Sequence, residues 1–205
     1  YFPHPSETNW DNSWKIGVAT SCRPAEGFEV KGYIEGMDPL IDPCVFVDDN
    51  GQAYIYNGGG GICKGGKLKD NMMELDGLMQ PMEGLEDFHE ATWVHKYNGK
   101  YYMLSSGCTG WDPNIAEIAV ADSIMGTWKT IGNPCTGPDA DKTFYAQSTY
   151  VQPVVGKKNA YIAMFDRWKK KDLEDSRYVW LPVLVKDGKI TIPWHEKWNL
   201  SIFDK

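Results

Sequence analysis

The sequence predicts an all-β fold of β-propeller type, with about three and a half blades in this chain, on three observations. Strand-like runs recur with turn signals between them, while long amphipathic helical patterns are missing. Three segments share one plan, a strand, a polar turn with Asn and Gly, and an alternating Tyr-rich strand: "VDDNGQAYIYNG", "VHKYNGKYYMLSSG" and "VVGKKNAYIAMFDRW". A further strand-turn unit follows the first two of them, "GGKLKDNMMELDG" and "AEIAVADSIMGTWKT", which gives four-stranded units of roughly 50 residues, the period of propeller blades.

Taken in order, "WKIGVATSCRPAEGF" has the form of such a second unit, with its own hairpin partner missing or reduced to "YF". Two full blades then run from about Asp42 to Trp128, and a last region from Phe144 to Ile192 makes one more. Asn-Gly supplies the positive φ angles that tight hairpins require. A β-sandwich with similar turns shares the period, since period alone does not fix closure.

A chain of 205 residues buries enough surface for one compact core, here read as a single partial propeller domain over 1–205. A net charge of -7 leaves no basic field to attract phosphate backbones or anionic lipid, so neither nucleic acid nor membrane is an expected partner. No apolar run is long enough to span a bilayer. Nine Trp and eleven Tyr supply flat rings with polar handles, which suit sugar faces as well as interfaces. Cys22, Cys44, Cys63, Cys108 and Cys135 show no zinc spacing; Cys108 and Cys135 flank a polar loop region and are the candidate bridge of an exported protein, a reduced pair being the alternative.

Three acidic or amide positions recur just before or at the expected innermost strand of successive blades: Asp42 in "LIDPCVFVDDNG", Glu90 in "FHEATWVHKYNG" and Gln147 in "TFYAQSTYVQPVVG". Innermost strands of a propeller face one central channel, so these side chains are expected to converge although far apart in sequence. Desolvation by rings such as Trp93 and a like charge such as Asp42 are the influences that keep a general acid protonated near neutral pH. Glycoside hydrolysis needs such an acid, and an inverting enzyme sets a second group across the sugar ring to activate water. The plainer readings are a rim carboxylate capping a strand for Glu90 and a turn residue before Pro43 for Asp42.

"IDPCVFVDDNGQAYIYNGG", "GKLKDNMMELDG" and "HEATWVHKYNGKYYMLSS" together resemble the five-bladed β-propeller glycoside hydrolases of family 43, over nearly the whole chain. The resemblance implies inversion by a carboxylic trio: an Asp base from the first blade, an Asp that orients the acid and adjusts its protonation, and a Glu acid. By motif, the second Asp is Asp42 and the acid is Glu90. The stretch from "YFPHPSETNW" to "IDPCVF" is similar to β-xylosidase and α-L-arabinofuranosidase members. "CTGWDPNIAEIAVADSIMGTW", "KTFYAQSTYVQPVVGKKNAYIAMFDRW" and "LEDSRYVWLP" are similar to the exo-β-1,3-galactanase branch. In that branch the first-blade base is lacking and a Gln of the "Y-x-Q" segment, here Gln147, assists water in its imidic acid form. The chain departs from the family in beginning inside what looks like blade two, without the first-blade Asp, and no equivalent of the galactanases' second-blade Glu precedes Asp42.

"FDRW" and "DSRY" add Asp166, Arg167, Trp168, Arg177 and Tyr178, read either as a sugar-binding cluster or as an Asp-Arg lock between the last strands. Trp111 in "TGWDPN" is a candidate stacking platform or a core residue. "NGGGGICKGG" precedes a strand pattern and not a helix, so it is a hairpin loop and no phosphate cradle. Family members can hold a calcium or a lone His near the axis; His89 is the one candidate here, a single His makes no ligand set, and neither metal nor cofactor is assigned. The expected activity is inverting, exo-acting hydrolysis of β-galactosyl, β-xylosyl or α-L-arabinofuranosyl linkages in plant polysaccharides. Glu90 would be the acid, Asp42 its modulator, Gln147 the water-positioning group, and Trp111, Trp93, Arg167, Arg177 and Trp168 the substrate contacts. The alternative is an incomplete propeller that binds carbohydrate without cleaving it, or one whose open blade edges associate with another chain. The resemblance places the parent protein outside the cytoplasm, secreted or periplasmic.

Overall fold

A computed structural model describes residues 2–5, 14–37, 41–58, 62–85, 89–186 and 188–204. Its strands form four sheets. The first holds β1 (Phe2–Pro5), β2 (Trp14–Thr20) and β3 (Glu29–Tyr33). The second holds β4 (Ile41–Val47), β5 (Ala53–Gly58), β6 (Lys64–Lys67) and β7 (Gln80–Pro81), and the third β8 (His89–Tyr97), β9 (Lys100–Gly107), β10 (Ala116–Ala121) and β11 (Lys129–Gly132), each in simple antiparallel sequence. The fourth runs β12 (Cys135–Thr136), β16 (Lys189–Pro193), β15 (Arg177–Lys186), β14 (Tyr161–Arg167) and β13 (Gln147–Pro153).

The expected blades are therefore present: a partial one, two of four strands, and a last one. Two details differ from the sequence reading. The partner of β2 is a short strand, "FPHP", in register Phe2↔Gly17 to Pro5↔Trp14. In the last blade the first hairpin strand ends at Pro153, so Val154 and Val155 belong to the turn, with Val155 almost fully exposed; the β-branched pair looked like strand, but Val154 N–H instead closes the turn on Ala160 O.

Alternation along the strands explains why the sheets stack. On β5, Ala53 and Ile55 join Ile16, Val18, Ile34 and Leu68 between the first two blades, while Tyr54 and Tyr56 point the other way. These two tyrosines meet Val94, Tyr101, Met103 and Trp128 between the second and third blades. Trp93 and Leu104, on the opposite face of the third blade, pack with Phe144, Val151, Phe165 and Leu181 of the fourth. A period of two with both faces apolar is what a blade buried on both sides requires. At roughly 25 cal/mol per Å² of apolar area removed from water, these three interfaces are the main cohesive force between sheets.

Turn chemistry sets the hairpins. Asn98 and Gly99 both take positive φ, 48° and 74°, between paired Tyr97 and Lys100, the two-residue turn that Asn-Gly favours. A partly exposed ion-pair network then ties neighbouring blades: Lys96 Nζ lies 2.7 Å from Asp48 Oδ1 and 2.8 Å from Asp49 Oδ2, and Tyr101 OH donates to Asp48 Oδ2 at 2.6 Å. Cys135 is a free thiol in the core of the last interface, its pKa pushed up to about 12 by burial; it forms no bridge to Cys108. No described helix is long and apolar enough to cross a membrane.

Candidate active site

The inner strands β4, β8 and β13 all begin with a local irregularity. In β4 the register jumps from Ile41↔Gly58 to Cys44↔Tyr56, and in β8 from Glu90↔Ser106 to Trp93↔Leu104. Asp42 and Ala91 stand at the same place in these two bulges, with φ of 54° and 50°. Glu90 thus corresponds to Ile41, and Asp42 sits one position further along its strand than Glu90 does. The equivalence expected from the sequence is off by one residue, which in a regular strand would turn the side chain to the opposite face; the bulge re-aims it. Asp42 and Glu90 do come together, close enough for the charge of Glu90 to act on Asp42.

Gln147 opens β13 and reaches both neighbours. Its Nε2 donates to Glu90 Oε1 at 2.8 Å and to Ser106 Oγ at 2.9 Å. With both amide hydrogens committed, the carbonyl Oε1 is left as an acceptor for water or a sugar hydroxyl. Ser148, the next residue, donates from Oγ to Ala91 O at 2.8 Å, so backbone of the two blades is tied at the same level.

Around this contact lies a cavity with two lobes. An outer lobe of about 150 Å³ is lined by Glu90, Ser106, Trp111, Asp112, Tyr145 and Trp168. An axial lobe of about 500 Å³ is lined by Asp42, Thr92, Trp93, Gln147, Tyr150 and Asp166 among others. A shallower hollow of about 550 Å³ joins them over Asp42, Glu90, Gln147, Trp111 and Trp168, within the range of small-molecule sites. The rings of Trp111 and Trp168 meet edge to face at 5.4 Å and form one wall.

Electrostatics single out Asp42. Burial, and after it the charge of Glu90, push its pKa up to about 6. Burial also raises Asp166, which faces the axial lobe. Thr92 lines this lobe as well, with its Oγ1 buried and without a hydrogen-bond partner among the described residues. His89 is buried with Nδ1 2.8 Å from Ser105 Oγ, and the described residues contain no group of three or more His, Cys, Asp or Glu able to hold a metal ion.

Of the residues expected from the sequence, Glu90, Asp42, Gln147, Trp111 and Trp168 share one cavity. Trp93 is only 8% exposed and lines the axial lobe from within the core, stacked on His95 at 5.2 Å. Arg167 and Arg177 are not brought to this cavity. Arg167 donates from Nε (3.1 Å) and Nη2 (2.6 Å) to Phe144 O, and Arg177 pairs with its neighbour Asp175 at the surface. Their side chains are thus held by contacts that the spacing of "FDRW" and "DSRY" does not reveal, and no Asp166–Arg177 lock forms among the described residues. Sequence reasoning missed Ser106, Thr92, Tyr145 and Tyr150. Counting back from the Asn98–Gly99 turn pairs Glu90 with Gly107; only the bulge moves Ser106 opposite it.

A curated β-xylosidase of Xylanibacter ruminicola is 30% identical over 202 residues, covering 76% of this chain and 55% of its own. A solved family 43 β-1,3-galactosidase superposes with a TM-score of 0.87 at 32% identity, over 92% of this chain and 40% of that one. A second such structure, in complex with galactodeoxynojirimycin, gives 0.80 at 31% identity, over 90% of this chain and 67% of that one. The chain thus spans about half the length of the curated relative. Residues 1–166 match the family described as glycosyl hydrolases family 43, and with the blades and the Asp42–Glu90 pairing in place, the chain belongs to that family.

Proposed function

We propose that this chain carries the acid side of an inverting, exo-acting glycoside hydrolase site that takes a terminal β-galactosyl residue. The observation that carries the reading is the convergence of Glu90, Asp42 and Gln147 beneath the Trp111–Trp168 wall. Glu90 gives its proton to the leaving glycosidic oxygen with Asp42 close beside it; a sugar entering the site parts the Glu90–Gln147 contact, and the Gln147 carbonyl, then across the ring, orients the water that attacks the anomeric carbon and releases its proton to solvent. The galactosyl preference is supported by Gln147 in the water-facing role and by the β-1,3-galactosidases among the structural neighbours, one of them holding a galactose-shaped iminosugar.

A second reading, β-xylosyl or α-L-arabinofuranosyl cleavage, is favoured by the curated relatives, a β-xylosidase and xylosidase/arabinosidases. Assays on aryl β-galactoside, β-xyloside and α-L-arabinofuranoside, with NMR of the first-formed anomer, separate the two. The expected result is turnover of the galactoside with inversion, abolished in Glu90→Gln. Turnover that survives that substitution removes Glu90 from the mechanism, and retention of configuration removes the inverting scheme.

The same reading makes residues 1–205 one partial propeller domain of a protein that works outside the cytoplasm on oligo- or polysaccharide, with open blade edges as the place where self-association would occur. Sedimentation velocity tests the last point: a concentration-independent monomer excludes it.

A further inference from the structure

Gln147 is delivered to Glu90 by an unusual piece of backbone. Thr143, Phe144 and Tyr145 all take positive φ, 49°, 59° and 58°, before the chain returns to extended geometry at Ala146. Each L-residue held there is strained, and a run of three persists only if its surroundings over-determine it. Three contacts do so. Phe144 is 1% exposed, its ring tilted against Trp194 at 5.2 Å. Thr143 Oγ1 donates to Asn114 O at 2.7 Å, and Asn114 in turn clasps the loop carrying Trp111 through both Gly107 N–H and Gly107 O. The third contact is Arg167, whose two donors converge on the Phe144 carbonyl while its guanidinium lies 5.6 Å above the Trp194 ring.

We propose that Arg167 is a positioning residue: it clamps the left-handed turn Thr143–Phe144–Tyr145 and so sets where the Gln147 amide meets Glu90. The backbone between clamp and amide is short. Only Tyr145 and Ala146 separate Phe144 from Gln147, and Trp168, which follows Arg167 directly, lines the same cavity as Gln147. A bidentate donor set on one carbonyl fixes that peptide plane in a way a single ammonium cannot. The guanidinium touches neither cavity lobe, so its effect on chemistry runs through Gln147.

The inference rests on the reading of Glu90 and Gln147 as reacting groups, and it is tested by a double-substitution cycle. Arg167→Met is expected to lower kcat on an aryl β-galactoside by about 10²-fold, the cost of misplacing a reacting group by an ångström, with a much smaller change in KM. Arg167→Lys should give a milder loss. In a Gln147→Ala background Arg167→Met should change kcat by less than about twofold, because its route of action is already gone. Equal losses in both backgrounds, or a lowered Tm with kcat intact, overturn the proposal. Should the parent protein turn over none of the glycosides, the functional reading fails while the clamp is still decided by ¹⁵N NMR of the Gln147 side-chain amide. Faster hydrogen exchange in Arg167→Lys supports the clamp, and unchanged exchange refutes it.

Discussion

The side-chain amide of Gln147 joins Glu90 across 57 residues of sequence, at 2.8 Å, while its second hydrogen is held by Ser106. An amide in direct contact with Glu90 fixes the orientation of that carboxyl, and on the proposed reading its carbonyl orients water once a sugar has entered. Gln147→Ala is expected to lower kcat by about 10²- to 10³-fold, comparable to removal of one preorganised hydrogen-bonding group, with KM less affected. Steady-state kinetics check it; an unaltered kcat excludes Gln147 from the reaction.

Asp42 carries a stability cost. Its pKa in the folded chain is about 6 against about 3.9 when unfolded, so the folded state binds the proton more tightly. Its contribution is most favourable below about pH 4 and is lost as pH rises through 6. Asp42→Asn is therefore expected to raise stability at pH 8 by about 2 kcal/mol and to change it little at pH 4, while abolishing activity. Urea denaturation at the two pH values decides it; a gain of equal size at both would mean the cost is not electrostatic.

Asp48 behaves in the opposite sense. Burial works to raise its carboxyl, but hydrogen bonds from Lys96, Tyr101 and the Asp49 N–H outweigh this and hold it below its ordinary value. Its stabilisation is present above the ordinary carboxylate range and is lost as pH falls below it. Asp48→Asn should lower Tm by several degrees at pH 7, with the difference from the parent closing toward pH 3. A constant difference across that range contradicts the assignment.

Gly84 takes φ +84°, and a Cβ there would lie 2.0 Å from Trp128 O. The same seam is closed by Trp128 N–H on Glu83 O at 2.7 Å and Thr127 Oγ1 on Glu83 Oε2 at 2.8 Å. Gly84→Ala is expected to destabilise by about 3 kcal/mol, at the upper end of ordinary single substitutions, by prying apart the second and third blades. Thermal unfolding within about a degree of the parent would show that the seam yields freely.

The blade count was legible because it depends on local chemistry: the Asn-Gly turn at 98–99, the alternating rings at 54 and 56 and the paired rings at 101 and 102 act within a hairpin. The convergence of Glu90 and Gln147 was legible for a different reason, since repeats place equivalent strand starts on one axis. What stayed hidden depends on backbone irregularity. The bulges at Asp42 and Ala91 follow no spacing rule, so the one-residue offset of Asp42 and the pairing of Glu90 with Ser106 could not be counted out. Arg167 was hidden likewise: nothing in "TFYAQ" announces three left-handed residues without a glycine, and so nothing announced the carbonyl that captures the arginine.

The two-residue strand β12 has its own consequence. It runs parallel to β16, with Ile192 N–H bonded to Pro134 O at 2.7 Å and Trp194 N–H to Thr136 O at 2.8 Å, so the chain visits the outer margin of the last blade before crossing inward to β13. A sheet margin whose amides are already occupied is a poor template for a foreign strand. Lateral growth of this blade toward fibrillar stacking is therefore obstructed at that margin by the connecting segment itself, which makes the linker between two blades also the guard of the second.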